Sequence, residues 1–201
     1  MEKIEFHLRP MSEEDLGQIA LWLGDFQDVA MFDRSLPVPV SKENLATSWK
    51  SALDIGEPPR ALWFIAETNN HQPLGMCGLQ AISYIHGDAV VPVFVAKEHR
   101  GKGLAKILAS LLIDTAFYQL RLNRLSTVYR ADNDATQRVV SDVGFVEEGR
   151  VREGWFASGK HNDIVQVGLL KSEWDQMRSS VLNRLSELPF KVVDNTAADS
   201  H

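Results

Sequence analysis

Apolar and polar residues alternate through IEFHLRP, which predicts a strand over residues 4–9 that Pro10 ends. The period then lengthens. In SEEDLGQIALWLGD, residues 12–25, Leu16, Ile19, Ala20 and Leu23 share one helical face, acidic residues fill the first turn, and Ser12 can cap it. RSLPVPV, residues 34–40, is a proline-punctuated loop, and SKENLATSWKSAL, residues 41–53, a short helix capped by Ser41 and stopped by GEPPR. ALWFIAET, residues 61–68, is almost wholly apolar, as a strand buried on both faces would be. NNHQP is a turn, LGMCGLQAISY a second strand, HGD a tight turn and AVVPVFVA, residues 89–96, a third strand.

A long helix follows from Gly103 to about Gln119, with Leu104, Ile107, Leu108, Leu111 and Leu112 on its core face. NRLSTVYRA, residues 123–131, predicts another strand. DATQRVVSDV is a short helix that Asn133 can cap and Gly144 ends. Residues 145–170 read as a hairpin turning at Ser158 and Gly159, and a last helix runs from about Lys171 to before Pro189. KVVDNTAADSH, residues 191–201, is expected to fray. Helices alternating with strands and hairpins imply an α/β or α+β fold around a mixed sheet.

With 201 residues and no interior linker or repeat, the chain is one domain with a tail, expected to divide into 1–175 and 176–201. Its formal net charge of −6 argues against nucleic acid or an anionic membrane as partner and mildly favours a cationic one, such as an amine. Cys77 is the one cysteine, so no intrachain disulfide forms. MEKIEFHLRP lacks the basic and apolar regions of a signal peptide, and no apolar run reaches the roughly 20 residues of a membrane span; a cytoplasmic protein is expected.

The chemistry begins at EHRGKGLA, where the third strand hands over to the long helix. Unpaired N–H groups at a helix N-terminus attract phosphate oxygens, and Gly101 and Gly103 keep side chains away from that backbone. Arg100 and Lys102 add positive charge. The stretch therefore reads as a pyrophosphate cradle. It is neither the nucleoside-triphosphate loop nor a dinucleotide fingerprint, since Lys106 stands where the third glycine of the latter would fall.

Arg100-Gly101-Lys102-Gly103-Leu104-Ala105 resembles the acetyl-CoA motif of the GNAT N-acetyltransferases, R/Q-x-x-G-x-G/A. NDATQRVVSDVGFVEEG looks like that family's N-x-x-A/S followed by G-F, and REGWFASGKHNDIVQVGLLKSEW is similar to the closing hairpin of the RimJ/RimL-type branch, which acetylates protein N-termini and related amines. The resemblance spans residues 4 to 175. It implies a GNAT fold: a mixed, mostly antiparallel central sheet with helices on both faces and a splay between two neighbouring strands, here AVVPVFV and RLSTVYR. It also implies acetyl-CoA as cosubstrate and no metal. Pro92, which has no N–H, suits a strand whose pairing is interrupted. Val93 and Val95 would pair with pantetheine, and backbone N–H groups around Phe94 and Val95 would polarise the thioester. Asn133 would bond the pantetheine arm or the reacting end, cap its helix, or both.

Two positions depart from the family. The glutamate that many members place before the glycine turn is Val90 here, and the tyrosine that protonates the departing thiolate is Val140. Thr136 falls where RimJ/RimL-type members keep a serine, and Tyr129 ends the splayed strand; these are the candidate proton-transfer groups. Asp33 and Asp163 are candidates to hold a cationic amine, and Trp155 with Phe156 to wall the acceptor site. His86 is expected in a solvent-facing turn. A peptide α-amine has a pKa near 8, so about a tenth is neutral at pH 7, against less than about 0.1% of a lysine-like amine near 10.4. Without a strong base, the expected acceptor is a peptide or protein N-terminus. A small amine, or a non-catalytic acyl-CoA-binding sensor, is the alternative. A monomer or homodimer using direct attack, not an acyl-enzyme on Cys77, completes the expectation.

Overall fold

A computed structural model describes residues 3–36, 38–53 and 56–193. Pro37 of the predicted loop and residues 194–201 of the predicted tail lie outside them. The strands among these residues are β1 (Ile4–Pro10), β2 (Leu62–Thr68), β3 (Pro73–Ser83), β4 (Asp88–Val90), β5 (Val93–Val95), β6 (Arg124–Arg130), β7 (Val146–Ala157), β8 (Lys160–Leu170) and β9 (Phe190–Val192). The α-helices are α1 (Leu16–Trp22), α2 (Phe26–Phe32), α3 (Lys42–Leu53), α4 (Leu104–Asp114), α5 (Asp134–Asp142) and α6 (Lys171–Ser186). The strand order is β7-β8-β6-β4-β3-β2-β1-β9, with β5 pairing β3 beside β4. Pairing is antiparallel except for β4 with β6 and β1 with β9.

Each face of the sheet carries its own core. On one side Leu16, Ile19, Val29 and Leu45 pack on Trp63, Ile65, Met76 and Phe94, all buried. On the other, Leu104, Leu108, Leu112, Phe117 and Trp174 pack on Leu74, Leu79, Leu125 and Val165. Alternation along β5 sends Phe94 to the first core and Val93 and Val95 toward the second.

Three expectations are corrected. The first predicted helix is two. A 3₁₀ turn at Glu13–Asp15 leads into α1, and Gly24 breaks the chain before Asp25 caps α2 by accepting from the N–H groups of Gln27 (2.8 Å) and Asp28 (3.2 Å). Gly24 as a stop and Asp25 as a fresh cap were the signals. The predicted strand 89–96 is also two, divided at Val91 and Pro92. Finally, residues 191 and 192 of the predicted tail are not frayed: β9 lies parallel to β1, with Phe190 opposite Ile4 and Val192 opposite Phe6. The hairpin turns where expected, with Ser158 and Gly159 both at positive φ (51° and 77°), the backbone of a tight two-residue turn.

Candidate active site

The break at Pro92 opens the sheet. β4 is held on both sides, by β3 and by β6, and Val91 N–H still donates to Ser126 C=O at 2.9 Å. Beyond it β5 pairs only with β3. Gly78 N–H donates to Pro92 C=O (3.1 Å) and Ala96 N–H to Leu74 C=O (2.9 Å). Antiparallel alternation therefore turns the Phe94 backbone toward β3, and the N–H groups of Val93 and Val95 toward the gap facing β6. This corrects the expectation for Phe94: its N–H is spent inside the sheet.

The glycine turn closes the end of this gap. Gly101 and Gly103 adopt φ of +74° and +87°, a backbone that L side chains rarely take. A Cβ on Gly101 would meet nothing within 4 Å, whereas one on Gly103 would come within 2.6 Å of Leu188 Cδ1. Gly101 thus leaves open space over the backbone, and Gly103 admits the chain's C-terminal segment beneath the turn. Gly103 occupies the N-cap of α4, so the helix's first N–H groups point out of the turn without a capping side chain.

Most of the predicted cosubstrate residues share one cavity of about 650 Å³. It is bounded by Val93 to Val95, by the turn from His99 to Lys106 without Lys102, and by the segment 132–136 that starts α5. Thr136 lines it, and its N–H donates to Asn133 Oδ1 (3.0 Å), so Asn133 caps α5 while facing the cavity. Arg100 lines it too, but its guanidinium is engaged: Nε donates to Val95 C=O (2.8 Å), Nη1 to Asp28 Oδ1 (2.6 Å), and the group lies 5.2 Å from the Phe94 ring centroid. Lys102 does not belong to the cavity; its Nζ donates to Glu98 C=O (3.0 Å).

Sequence reasoning missed Asp28 and Met31 on α2, and His99, Lys106 and Arg138. α2 itself was unread, and the other three are polar residues inside segments already assigned to a turn or a helix.

Four further candidates lie elsewhere. Tyr129 is buried in the core and does not line the cavity; burial holds its hydroxyl pKa above the ordinary value. Its β6 position turns it inward. Trp155 packs with Ala157, Ile164 and Ala30 in a small core of its own, while Phe156 is exposed. Asp163 accepts the Glu153 N–H (2.9 Å) and so holds the bulge in β7. His86 is exposed in its turn, as expected. Val90 and Val140 place no proton carrier at the two family positions.

Asp33 does line a cavity, a second one of about 260 Å³. Phe32, Trp49 and Trp63 form its aromatic walls, the two indoles 4.9 Å apart between centroids, and Ser35, Ser48, Gln80 and Pro92 complete it. Asp33 Oδ1 accepts from the N–H and hydroxyl of Ser35 (2.8 and 2.6 Å), and Trp63 Nε1 is buried without a partner. The two cavities meet at the splay: Phe32 lines both, and Pro92 of the second adjoins Val93 of the first.

The profile of the acetyltransferase (GNAT) domain matches residues 5–146. The chain belongs to the GNAT acetyltransferase family. YdaF of Bacillus subtilis, whose assignment as a ribosomal N-acetyltransferase is provisional, is 36% identical over 101 residues, 50% of this chain. Spermidine N(1)-acetyltransferase of Vibrio cholerae is 31% identical over 111 residues, 55% of this chain. The chain spans 55% and 64% of the lengths of these two relatives. Among solved structures, the Vibrio cholerae spermidine N-acetyltransferase in complex with CoA and spermine superposes with a TM-score of 0.76 at 25% identity, covering 84% of this chain and 97% of that one. The same enzyme has also been solved as a dodecamer. The GNAT fold expected from the sequence, a mostly antiparallel sheet with helices on both faces and a splay, is the fold observed. No described helix is long and apolar enough to cross a membrane.

Proposed function

We propose that this GNAT protein is an acetyl-CoA-dependent N-acetyltransferase whose acceptor is a small primary amine carrying a second positive charge, such as a polyamine. One observation carries the reading: a cavity with a carboxylate among three aromatic rings opens beside the splay. Ring faces and a carboxylate attract ammonium groups. The spermidine-acetylating relatives and the net charge of −6 support the same acceptor. The sequence alone favoured a peptide N-terminus, and the comparisons support the alternative better.

The larger cavity fits acetyl-CoA. Its glycine turn leaves backbone open at Gly101, and its β5 edge offers unpaired N–H groups. Bound acetyl-CoA supplies the activated acetyl group. The chain's part is to orient it: the first turn of α4 receives the pyrophosphate, and Asn133 the pantetheine arm. The N–H groups of Val93 and Val95, which point into the gap, would donate to the thioester oxygen, where negative charge grows during attack. On the other side Asp33 holds the distal ammonium. The reacting amine would enter beside Phe32, Trp49 and Trp63 as the neutral fraction already present in solution, its proton left to water, since Val90 stands at the family's glutamate position. Thr136, on the cavity wall, would donate a proton to the departing thiolate.

Cys77 takes no part. It is fully buried on β3, and burial pushes its thiol far above the usual range, so it stays protonated. Attack is direct.

A panel of amines, read by release of free CoA, tests the proposal. Saturable turnover of spermidine or a diamine is expected, with kcat/KM still rising toward about pH 10 as more amine becomes neutral. A plateau near pH 8 and turnover of peptides alone would favour the second reading, an N-terminal acceptor of the RimJ/RimL type, for which the YdaF likeness and the closing hairpin speak. Tight CoA binding with no amine-dependent release would mark a sensor.

A further inference from the structure

Most of the charge that lines the larger cavity is already neutralised by the protein. Arg100 is bound to Asp28 and to the Val95 C=O, Lys106 to Asp142, and Asp132 to Arg130 and Lys160. Lys102 lies outside the cavity on the Glu98 C=O, and the ring nitrogens of His99 are buried away from the surface. Two charged lining side chains have no protein partner among the described residues, Asp134 and Arg138, both exposed on α5. Their spacing of four residues would allow an ion pair, yet they form none. Asp134 stands in the first turn of α5, where the helix dipole favours a negative charge. Arg138, a turn further on, has no such offset.

The helix itself gives Arg138 its direction. Asp142 lies one more turn along the same face of α5 and is bound to Lys106 in the first turn of α4. That face of α5 is therefore turned toward the start of α4, and Arg138 shares it, with Ala135 and Val139 beside it on the cavity wall. A pyrophosphate seated on the first N–H groups of α4 meets only about half an elementary charge from the helix dipole. The chain around it carries a net −6. An uncommitted guanidinium on the facing helix supplies the missing charge, and its fork of N–H groups matches phosphate oxygens.

Accordingly, we propose that Arg138 is a cosubstrate-binding residue whose guanidinium donates to pyrophosphate oxygens of CoA from the α5 side, opposite the first turn of α4. The assignment rests on reading this cavity as the CoA site. It places on α5 the charge that the motif's own arginine, engaged with Asp28, does not offer.

Calorimetry with CoA and with 3′-dephospho-CoA tests this in the full chain and in the Arg138→Gln and Arg138→Lys variants, at about 0.05 M and about 0.5 M salt. At the lower salt the Kd of Arg138→Gln for CoA rises about tenfold, equivalent to about 1.4 kcal/mol. The same rise appears with 3′-dephospho-CoA, because the pyrophosphate is common to both. At the higher salt the difference from wild type shrinks to about threefold or less, as screening of an exposed charge requires. Arg138→Lys, which keeps the charge without the fork, stays within about threefold of wild type at either salt. The proposal is overturned if Arg138→Gln binds CoA as the wild type does. A loss confined to CoA would overturn it too, by placing the contact at the 3′-phosphate. So would a loss that Arg138→Lys shares in full or that salt does not diminish, since shape and not charge would then matter. A wild-type chain that binds no CoA would remove the reading of the cavity itself, a result separate from all of these.

Discussion

The two cavities at the splay are built in different ways. The larger one is made of backbone: two glycines at positive φ, the open end of a helix, and the unpaired edge of β5. The smaller is made of side chains drawn from four places, Asp33 after α2, Trp49 on α3, Trp63 on β2 and Gln80 on β3. A backbone cradle binds what every family member binds and tolerates little change. A side-chain cavity can be refitted one residue at a time, which suits the half of the site that meets the variable acceptor.

The sharpest way to break this contrast is at the turn. Gly101→Val forces a β-branched residue to φ +74° and sets its side chain in the cradle. CoA affinity should fall by about 100-fold or more, close to 2.7 kcal/mol, and Tm by several degrees, because the left-handed backbone strains a Val by about 1–2 kcal/mol even where no neighbour crowds its Cβ. Gly103→Ala should act differently. Its Cβ meets Leu188, and its strain of about 1–2 kcal/mol falls on the fold as well, visible in urea denaturation. Wild-type CoA affinity in Gly101→Val would dismiss the backbone cradle.

On the acceptor side, Asp33→Asn should lower kcat/KM for spermidine by about 10- to 30-fold, the loss of one partly desolvated ion pair, while the Kd for CoA holds. If CoA affinity fell in parallel, the two cavities would not be separable. A smaller effect is expected at Cys77, buried in the core on β3 and lining neither cavity. Cys77→Ala should keep kcat within about twofold and cost about 1 kcal/mol of stability from the vacated volume. Abolished turnover would contradict direct attack.

The smallest effect is a control far from both cavities. Glu67 is buried beside Arg9, His7 and His71, with Arg9 Nε at 2.9 Å and His71 Nδ1 at 3.2 Å. Burial alone would raise its pKa, but the hydrogen bonds and charges of Arg9 and His71 outweigh it and hold the carboxyl below its ordinary value. The folded pKa is depressed, so this stabilisation is present above the unfolded carboxylate pKa near 4.3 and is lost as pH falls through the folded value. Glu67→Gln should lower stability at pH 7 by about 1 kcal/mol, flatten that part of the acid transition, and leave both binding constants alone. A changed amine KM would mean that the cluster reaches the site.

The same contrast explains what could be read from the chain. The cradle is local: six consecutive residues and a strand–helix junction write it into one stretch, and of the cosubstrate residues picked from the sequence only Lys102 falls outside the cavity, whose walls at Asp28, Met31, His99, Lys106 and Arg138 were not read. The fold followed from the same segments, with α2 hidden behind Gly24 and the strand break hidden inside an apolar run that looked continuous. The acceptor cavity was not legible, because its parts lie far apart in sequence and each is unremarkable alone; only Asp33 was picked out. Tyr129, Trp155 and Asp163 were placed by motif and hairpin position, and side-chain direction, which no spacing specifies for an irregular hairpin with two bulges, sent them elsewhere. Arg138 was passed over because a charge without a partner is seen only once its neighbours are placed.

The seating of Leu188 under Gly103, with β9 beside β1, has a consequence for the order of events in the making of the protein. These contacts join the first strand, the middle of the chain and its last described residues, so each closes a long loop and needs distant parts of the chain to meet. During synthesis the glycine turn leaves the ribosome well before the segment that underpins it. A nascent chain carries the whole motif yet lacks its footing until the last segment has emerged.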